Sequence, residues 1–276
     1  MKFTKMHGLG NDFVFVDGFS EHVADAQRLT VEICDRRTGV GGDGLVVIMP
    51  SDKAAFKMHY INSDGSLAEM CGNAIRCLSK YVYEHGLTRA TDFVVETLGG
   101  LNRQILTVEN GRVVEVSVDM GAPKFLRLEI PMLGANTTVI GEPLEVDGRS
   151  YRITSLSMSN PHVVIFVDDV DKAPVTEVGP KIEHHPAFPR RTNVEFVQIL
   201  DRDNIRMRIW ERGCGETLAS GSGSCASVVA SIINGFTGRS VNVHLRLGRL
   251  KISWPDGGSV TMTGPATEVF TGEWPD

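Results

Sequence analysis

Apolar and polar residues alternate with period two in several short stretches of this chain: "VVEVSVDM" (113–120), "LKISW" (250–254) and "SVTMTG" (259–264). Gly and Pro turns separate them, and such runs read as half-buried β-strands. Two longer segments carry a helical period instead. "GNAIRCLSKYVYEHG" is apolar at Ile75, Leu78 and Val82, and Gly86 stands where a helix would stop. "GSCASVVASIINGF" has an apolar face of Val228, Val229, Ile232 and Ile233 and closes at Gly235. The mixture predicts an α+β fold in which each central helix is wrapped by mostly antiparallel, barrel-like sheet rather than by βαβ units.

The two helices are copies in one register. A shift of 149 residues carries Cys71 onto Ser220, and the same shift carries Asn11 in "LGNDFVFVDG" onto Asn160 in "MSNPHVVIFVD". It also carries the alternation Phe56, Met58, Tyr60 onto Ile205, Met207, Ile209, the helical positions Leu29 and Ile33 onto Val178 and Ile182, and Gly99 onto Gly248. An unbroken register from Asn11 to Gly99 predicts two pseudo-symmetric domains, 1–121 and 122–276, with the last strand packing back on the first half. The chain has 276 residues, enough to bury a core in each.

Net charge narrows the partners. The 28 Lys and Arg are scattered among 34 Asp and Glu, for a net charge of −6, so no nucleic-acid face and no anionic-membrane face is expected. No apolar run approaches the roughly 18 residues of a membrane span, and "MKFTKMHGLGNDF" lacks the apolar core of a signal peptide. A cytoplasmic location and a small-molecule ligand are the expectation.

Five cysteines, Cys34, Cys71, Cys77, Cys214 and Cys225, are odd in number and form no CxxC pair, so reduced thiols are expected and a structural zinc site is not. Cys34, Cys77 and Cys225 read as small core residues. Cys71 differs, because it directly precedes a helix, where unpaired N–H groups and the positive dipole end favour a thiolate and also catch a carboxylate. "GVGGDG" (39–44) matches a dinucleotide fingerprint in letters only. That fingerprint needs a strand before it and a helix after it, and here helix-like "RLTVEICDRR" precedes and strand-like "LVVIM" comes after, so a tight glycine connection is the better reading.

In order along nearly the whole chain, "HGLGNDFVFVD", "NSDGSLAEMCGN", "SNPHVVIFV", "RTNVEFV" and "WERGCGETLASGSGSCA" resemble the diaminopimelate epimerases, within a wider superfamily of cofactor-free racemases. The resemblance implies interconversion of LL- and meso-diaminopimelate, two barrel-like domains each around a central helix, a site in the cleft between them, and no cofactor or metal. Inverting an α-carbon takes a base on one face and an acid on the other, which gives the duplication its chemical sense. Carried over position by position, Cys71 is one acid–base group, and His162 and Glu211 match residues that tune the acid–base pair. Asn11, Asn62, Asn160, Asn193 and Arg212 match substrate binders, Arg212 being suited to a bidentate grip on a carboxylate. Main-chain N–H groups around Gly72, Asn73, Gly221 and Ser222 would hold the reacting carboxylate. Gly44 stands where some members have a side chain that reaches the substrate. A homodimer is implied, with Phe270 at its contact or, on sequence alone, in the core.

The departure is Ser220, which takes the seat of the second catalytic cysteine. A hydroxyl is a far weaker acid than a thiol, and no adjacent histidine is evident to activate it. Two histories give this pattern: an engineered near-isosteric Cys-to-Ser replacement, which the otherwise complete signature favours, or a natural relative with altered chemistry. The alternatives to a crippled epimerase are a related racemase, a one-base isomerase or dehydratase using Cys71, and a non-catalytic amino-acid binding protein.

Overall fold

The computed structural model describes residues 1–255 and 257–275. In chain order the elements are β1 (Lys2–Gly8), β2 (Asn11–Asp17), α1 (Ala26–Ile33), β3 (Gly44–Met49), β4 (Phe56–Asn62), α2 (Gly72–Glu84), β5 (Asp92–Thr97), β6 (Gly100–Glu109) and β7 (Arg112–Asp119). Next come β8 (Val139–Val146), β9 (Arg149–Ser157), β10 (Pro161–Phe166), α3 (Val175–Glu183), β11 (Asn193–Ile199), β12 (Asn204–Glu211), β13 (Gly215–Thr217), α4 (Gly221–Ile233), β14 (Ser240–Leu245) and β15 (Gly248–Ser253). The chain ends with β16 (Thr261–Gly264) and β17 (Thr267–Glu273). Residues Met1–Asp119, with the segment from Thr263 onward, form one compact unit, and Met120–Met262 form a second.

Strand pairing runs in the same sequence in both units. In the first, β17, β1 and β2 are successively antiparallel, β2 is parallel to β3, β3 antiparallel to β4, β4 parallel to β5, and β5, β6 and β7 antiparallel. In the second, β8, β9 and β10 are antiparallel, β10 is parallel to β11, β11 antiparallel to β12, β12 parallel to β14, and β14 antiparallel to β15. The sheets are thus mostly antiparallel, but each contains two parallel joints that alternation alone does not reveal. Parallel neighbours need a crossover, and the helices supply it: α1 and α2 in the first unit, α3 and α4 in the second.

α2 and α4 are the inner helices. α2 packs against β1, β2, β3, β4, β6, β7 and β17, and α4 against β9, β10, β11, β12, β14 and β15. Of the apolar positions that mark the helices, Ile75, Leu78 and Val82 in α2 and Val228 and Val229 in α4 are fully buried, each side chain contributing about 1.5–3 kcal/mol relative to exposure, whereas Ile232 and Ile233 in the last turn of α4 are only partly buried. An enclosed helix also buries its polar residues. Ser79, Ser224 and Ser231 resolve this by donating to the carbonyls of Ile75, Ser220 and Ser227, four residues back.

Both inner helices span 13 residues and stop at a glycine with φ near +80°, Gly86 (+79°) and Gly235 (+78°). Among the described residues, nothing beyond the adjoining chain lies within 4 Å of where a Cβ would stand at either, so the left-handed backbone alone selects glycine. α1 and α3 pack elsewhere on the sheets, α1 in a cluster with Phe3, Val14, Val16, Leu45 and Val47, and α3 with Val163, Ile165, Val194 and Phe196. No helix among the described residues is long and apolar enough to cross a membrane.

Candidate active site

Each unit builds a half-site around the first turn of its inner helix. Cys71 is the residue before α2 and Ser220 the residue before α4, with nearly identical backbone angles: φ −137°, ψ 115° and φ −134°, ψ 125°. The next residues, Gly72 and Asn73 or Gly221 and Ser222, carry N–H groups that the helix itself cannot satisfy. A left-handed turn precedes a second polar group near each helix start. A residue in the left-handed region, Gly10 (φ 90°) or Ser159 (φ 72°), precedes the asparagine of each unit, and for Ser159 that conformation carries a steric cost.

In the first unit, Asn11 Oδ1 accepts from Cys71 Sγ (3.7 Å) and Asn73 Nδ2 (3.0 Å). Its Nδ2 donates to Asp43 Oδ2 (2.6 Å), which also accepts from the Asp12 backbone N–H. Arg36 bridges Asp12 and Asp43, and Lys5 adds a 2.5 Å ion pair to Asp12 and a bond to the Gly41 carbonyl. Burial by itself would raise the Asp12 carboxyl, but hydrogen bonds from Arg36 and Lys5 outweigh it and hold the group below the usual carboxylate range. The "GVGGDG" stretch is therefore more than a glycine connection: its acid, Asp43, fixes Asn11. Asn62 donates through Nδ2 to Ser66 Oγ in the turn after β4. Fully buried Arg76 reaches back to the Gly72 carbonyl (3.1 Å). A Cβ on Gly44 would stand 2.4 Å from the Ile61 carbonyl oxygen and 2.5 Å from the Tyr60 ring, so the local backbone itself excludes a side chain there.

The second unit repeats the scaffold with different chemistry. Ser220 is 4% exposed, and its Oγ accepts from the Gly223 N–H (3.2 Å), a side-chain cap that Cys71 does not make on α2. Asn160 donates through Nδ2 to Ser222 Oγ (3.4 Å), while its Oδ1 lies 2.9 Å from His162 Nε2. His162 Nδ1 lies 2.6 Å from Glu195 Oε1, and both side chains are completely buried. Glu195 Oε2 has no hydrogen-bond partner among the described residues. Burial pushes the Glu195 carboxyl up, against the pull of His162. Gly223 lets these groups approach, since a Cβ there would lie 3.1 Å from Glu195 Oε1 and 3.2 Å from Ser220 Cβ.

The remaining candidates sit along β11 and β12. Asn193 is buried, donating to the Pro161 carbonyl and accepting from the Arg212 N–H (both 2.9 Å), so it ties three segments together. The Arg212 guanidinium is exposed and touches the Arg190 carbonyl. Glu211 accepts from Thr217 Oγ1 across the β12–β13 hairpin and is close enough to Glu195 to raise its carboxyl further. Cys34 and Cys77 are inert by environment, burial pushing each thiol up to about 12. Among the described residues no group of three or more His, Cys, Asp or Glu is placed to hold a metal ion. Two cavities of about 370 and 380 Å³ in the first unit are lined by none of the candidate residues.

His162 and Asn11 stand out in the sequence, whereas Glu195 and Asp43 do not. In both cases the signal is an acid inside a quoted motif, "RTNVEFV" and "GVGGDG", whose burial or partner only the fold reveals.

Comparison with known proteins agrees over the full length. The family model described as diaminopimelate epimerase matches residues 3–126 and 154–269. The diaminopimelate epimerase of Pelotomaculum thermopropionicum is 58% identical over 277 residues, covering 100% of this chain and 99% of the relative, and that of Moorella thermoacetica is 54% identical with the same coverage. Among solved structures, a phenazine biosynthesis protein of the PhzF family from Bacillus anthracis aligns with a TM-score of 0.74 at 17% identity, over 100% of this chain and 99% of that one. A hydroxyproline epimerase from Agrobacterium vitis aligns at 0.70 and 14%, over 99% and 91%. Those structural matches establish the fold, and the full-length sequence matches establish the lineage: the chain belongs to the diaminopimelate epimerase family.

Proposed function

We propose that this scaffold interconverts LL- and meso-diaminopimelate by two-base proton transfer, and that Ser220 leaves the chain with one competent acid–base group. The observation that carries the reading is the pairing of positions 71 and 220, each the residue before an enclosed helix with the same backbone angles, one bearing a thiol and the other a hydroxyl. Full-length relatives named as diaminopimelate epimerases support the substrate.

In the forward step the Cys71 thiolate takes the α-proton, and the electron pair left on the α-carbon delocalises into the carboxylate. N–H groups of the helical first turns, around Gly72, Asn73, Gly221 and Ser222, hold that carboxylate as its charge grows. A proton must then arrive on the opposite face from position 220. A thiol there gives it up and becomes a thiolate; Ser220 would have to become an alkoxide, and its Oγ is already turned to the Gly223 N–H. Asn62, Asn193 and Arg212 bind substrate in this reading, and His162 and Glu211 tune the acid–base pair. Half-exposed Phe270 stacks edge-on against Phe3 at 6.0 Å on β17, which favours a contact with a second copy over a core role. A homodimer through that strand is the assembly proposed.

Removing one acid–base partner costs on the order of 10²–10⁴-fold in turnover. Proton NMR in deuterium oxide, run with each isomer separately, is expected to show α-proton exchange from the isomer that presents its C–H to Cys71 and much slower exchange from the other. Epimerisation returns in Ser220→Cys. Equal exchange from both isomers, or full epimerisation by the Ser220 chain, would sink the two-base assignment. The same substitution removes a helix cap, so urea unfolding should show Ser220→Cys less stable by about 1 kcal/mol while it gains activity; unchanged stability would mean that the Gly223 bond contributes nothing. For the assembly, sedimentation velocity at micromolar concentration should give a dimer that Phe270→Ala weakens. A monomer, or a dimer indifferent to Phe270→Ala, contradicts it.

A further inference from the structure

The two asparagines related by the internal repeat are clamped in opposite senses. Asp43 is a carboxylate and can only accept, so the Asn11 edge facing it must be the NH₂, and the Asn11 oxygen is left toward Cys71 and Asn73. Asn160 instead faces His162 Nε2. Which edge it presents depends on whether that nitrogen carries a proton.

The Glu195–His162 pair answers this. If the carboxyl is ionised and the ring doubly protonated, Nε2 bears a hydrogen. If the proton has passed to Glu195, the carboxyl donates to Nδ1 and the neutral ring again carries its hydrogen on Nε2. Only a bare carboxylate beside a neutral ring protonated at Nδ1 would leave Nε2 as an acceptor. That form keeps an uncompensated charge at a fully buried site whose second oxygen has no partner among the described residues, the costliest of the three. In both favourable forms Nε2–H donates to Asn160 Oδ1, and the Asn160 NH₂ is the edge turned toward Ser222 at the start of α4.

We propose that Glu195 is a positioning residue which, through His162, locks the Asn160 amide with its donor edge toward the second half-site, opposite to the acceptor edge that Asp43 locks at Asn11. An amino-acid α-carbon carries one ammonium and one carboxylate. A donor edge fixed beside Ser222 suits the carboxylate and not the ammonium, and an acceptor edge fixed beside Cys71 suits the reverse. The repeat shows where the asymmetry was installed: a shift of 149 residues places Phe13 and Val46, both fully buried, at the positions of His162 and Glu195. The inference rests on the epimerase reading only for what the clamp is used for.

Two measurements test it. The first reads the clamp in the unaltered chain, whatever its activity: nitrogen-15 NMR of the histidine side chains at neutral pH, with His162 assigned by its loss in the double variant below. Nε2 of His162 should be protonated; an unprotonated Nε2 overturns the proposal. The second transplants the first unit's pair, His162→Phe with Glu195→Val, into the Ser220→Cys chain. Apolar residues at a buried ion-pair site commonly preserve or raise stability, so the melting temperature should hold while kcat/KM for diaminopimelate falls by about 10²-fold, the scale of a misplaced positioning group. A folded double variant with unchanged kcat/KM makes the pair merely structural and overturns the proposal. If Ser220→Cys has no epimerase activity, the functional reading fails and the NMR measurement still decides the clamp.

Discussion

The first turn of an α-helix has four N–H groups that no carbonyl of the helix can reach, and an enclosed helix has little water to satisfy them. Both units of this chain place a helix inside their own sheet, so both must direct those groups at something. The residues at that turn decide which chemistry is possible. A Gly at the first helical position and a Cys or Ser just before it give a cradle of N–H groups beside a side chain able to move or hold a proton. The sheet packs around each helix, left-handed residues at Gly10 and Ser159 set the turns beside its start, and glycines at 86 and 235 end it.

The units share a frame and differ in what they bury. Around α2 the charged residues are a buried arginine, a buried Lys5 paired with Asp12, and the more exposed Arg36 and Asp43 that extend that pair. Around α4 they are a histidine–glutamate pair with no exposure at all, with Glu211 nearby. Buried ion pairs rarely contribute net stability relative to apolar residues of similar volume, and the first unit, with Phe13 and Val46 in the corresponding places, shows that the frame does not require one. Ser220 adds a converse case, a polar side chain at the same seat whose hydroxyl caps α4.

Much of this is legible in the sequence because it is local. The limits of both inner helices and their glycine stops come from spacing within a few residues, and the repeat that pairs the seats at 71 and 220 comes from one constant offset, which needs no knowledge of the fold. Pairing between distant strands is not local, so the parallel joints β2–β3 and β4–β5 leave no mark in the sequence, although the helices that bridge them do. Glu195 is hidden for a related reason. β11 is covered on both faces, its first five residues are all buried, and no alternation marks the acid as unusual. Asp43 is masked by the glycines that dominate its motif, and its role emerges only when β2 brings Asn11 alongside.

The N–H cradle and the paired seats at 71 and 220 meet their sharpest test in a crystal structure of the Ser220 chain with diaminopimelate bound. The α-carboxylate is expected within hydrogen-bonding distance of the N–H groups at the start of an inner helix, with the α-carbon in contact with the side chain at position 71 or 220 that precedes that helix. A ligand whose carboxylate is held away from both helix starts, or whose α-carbon meets neither residue, would contradict this.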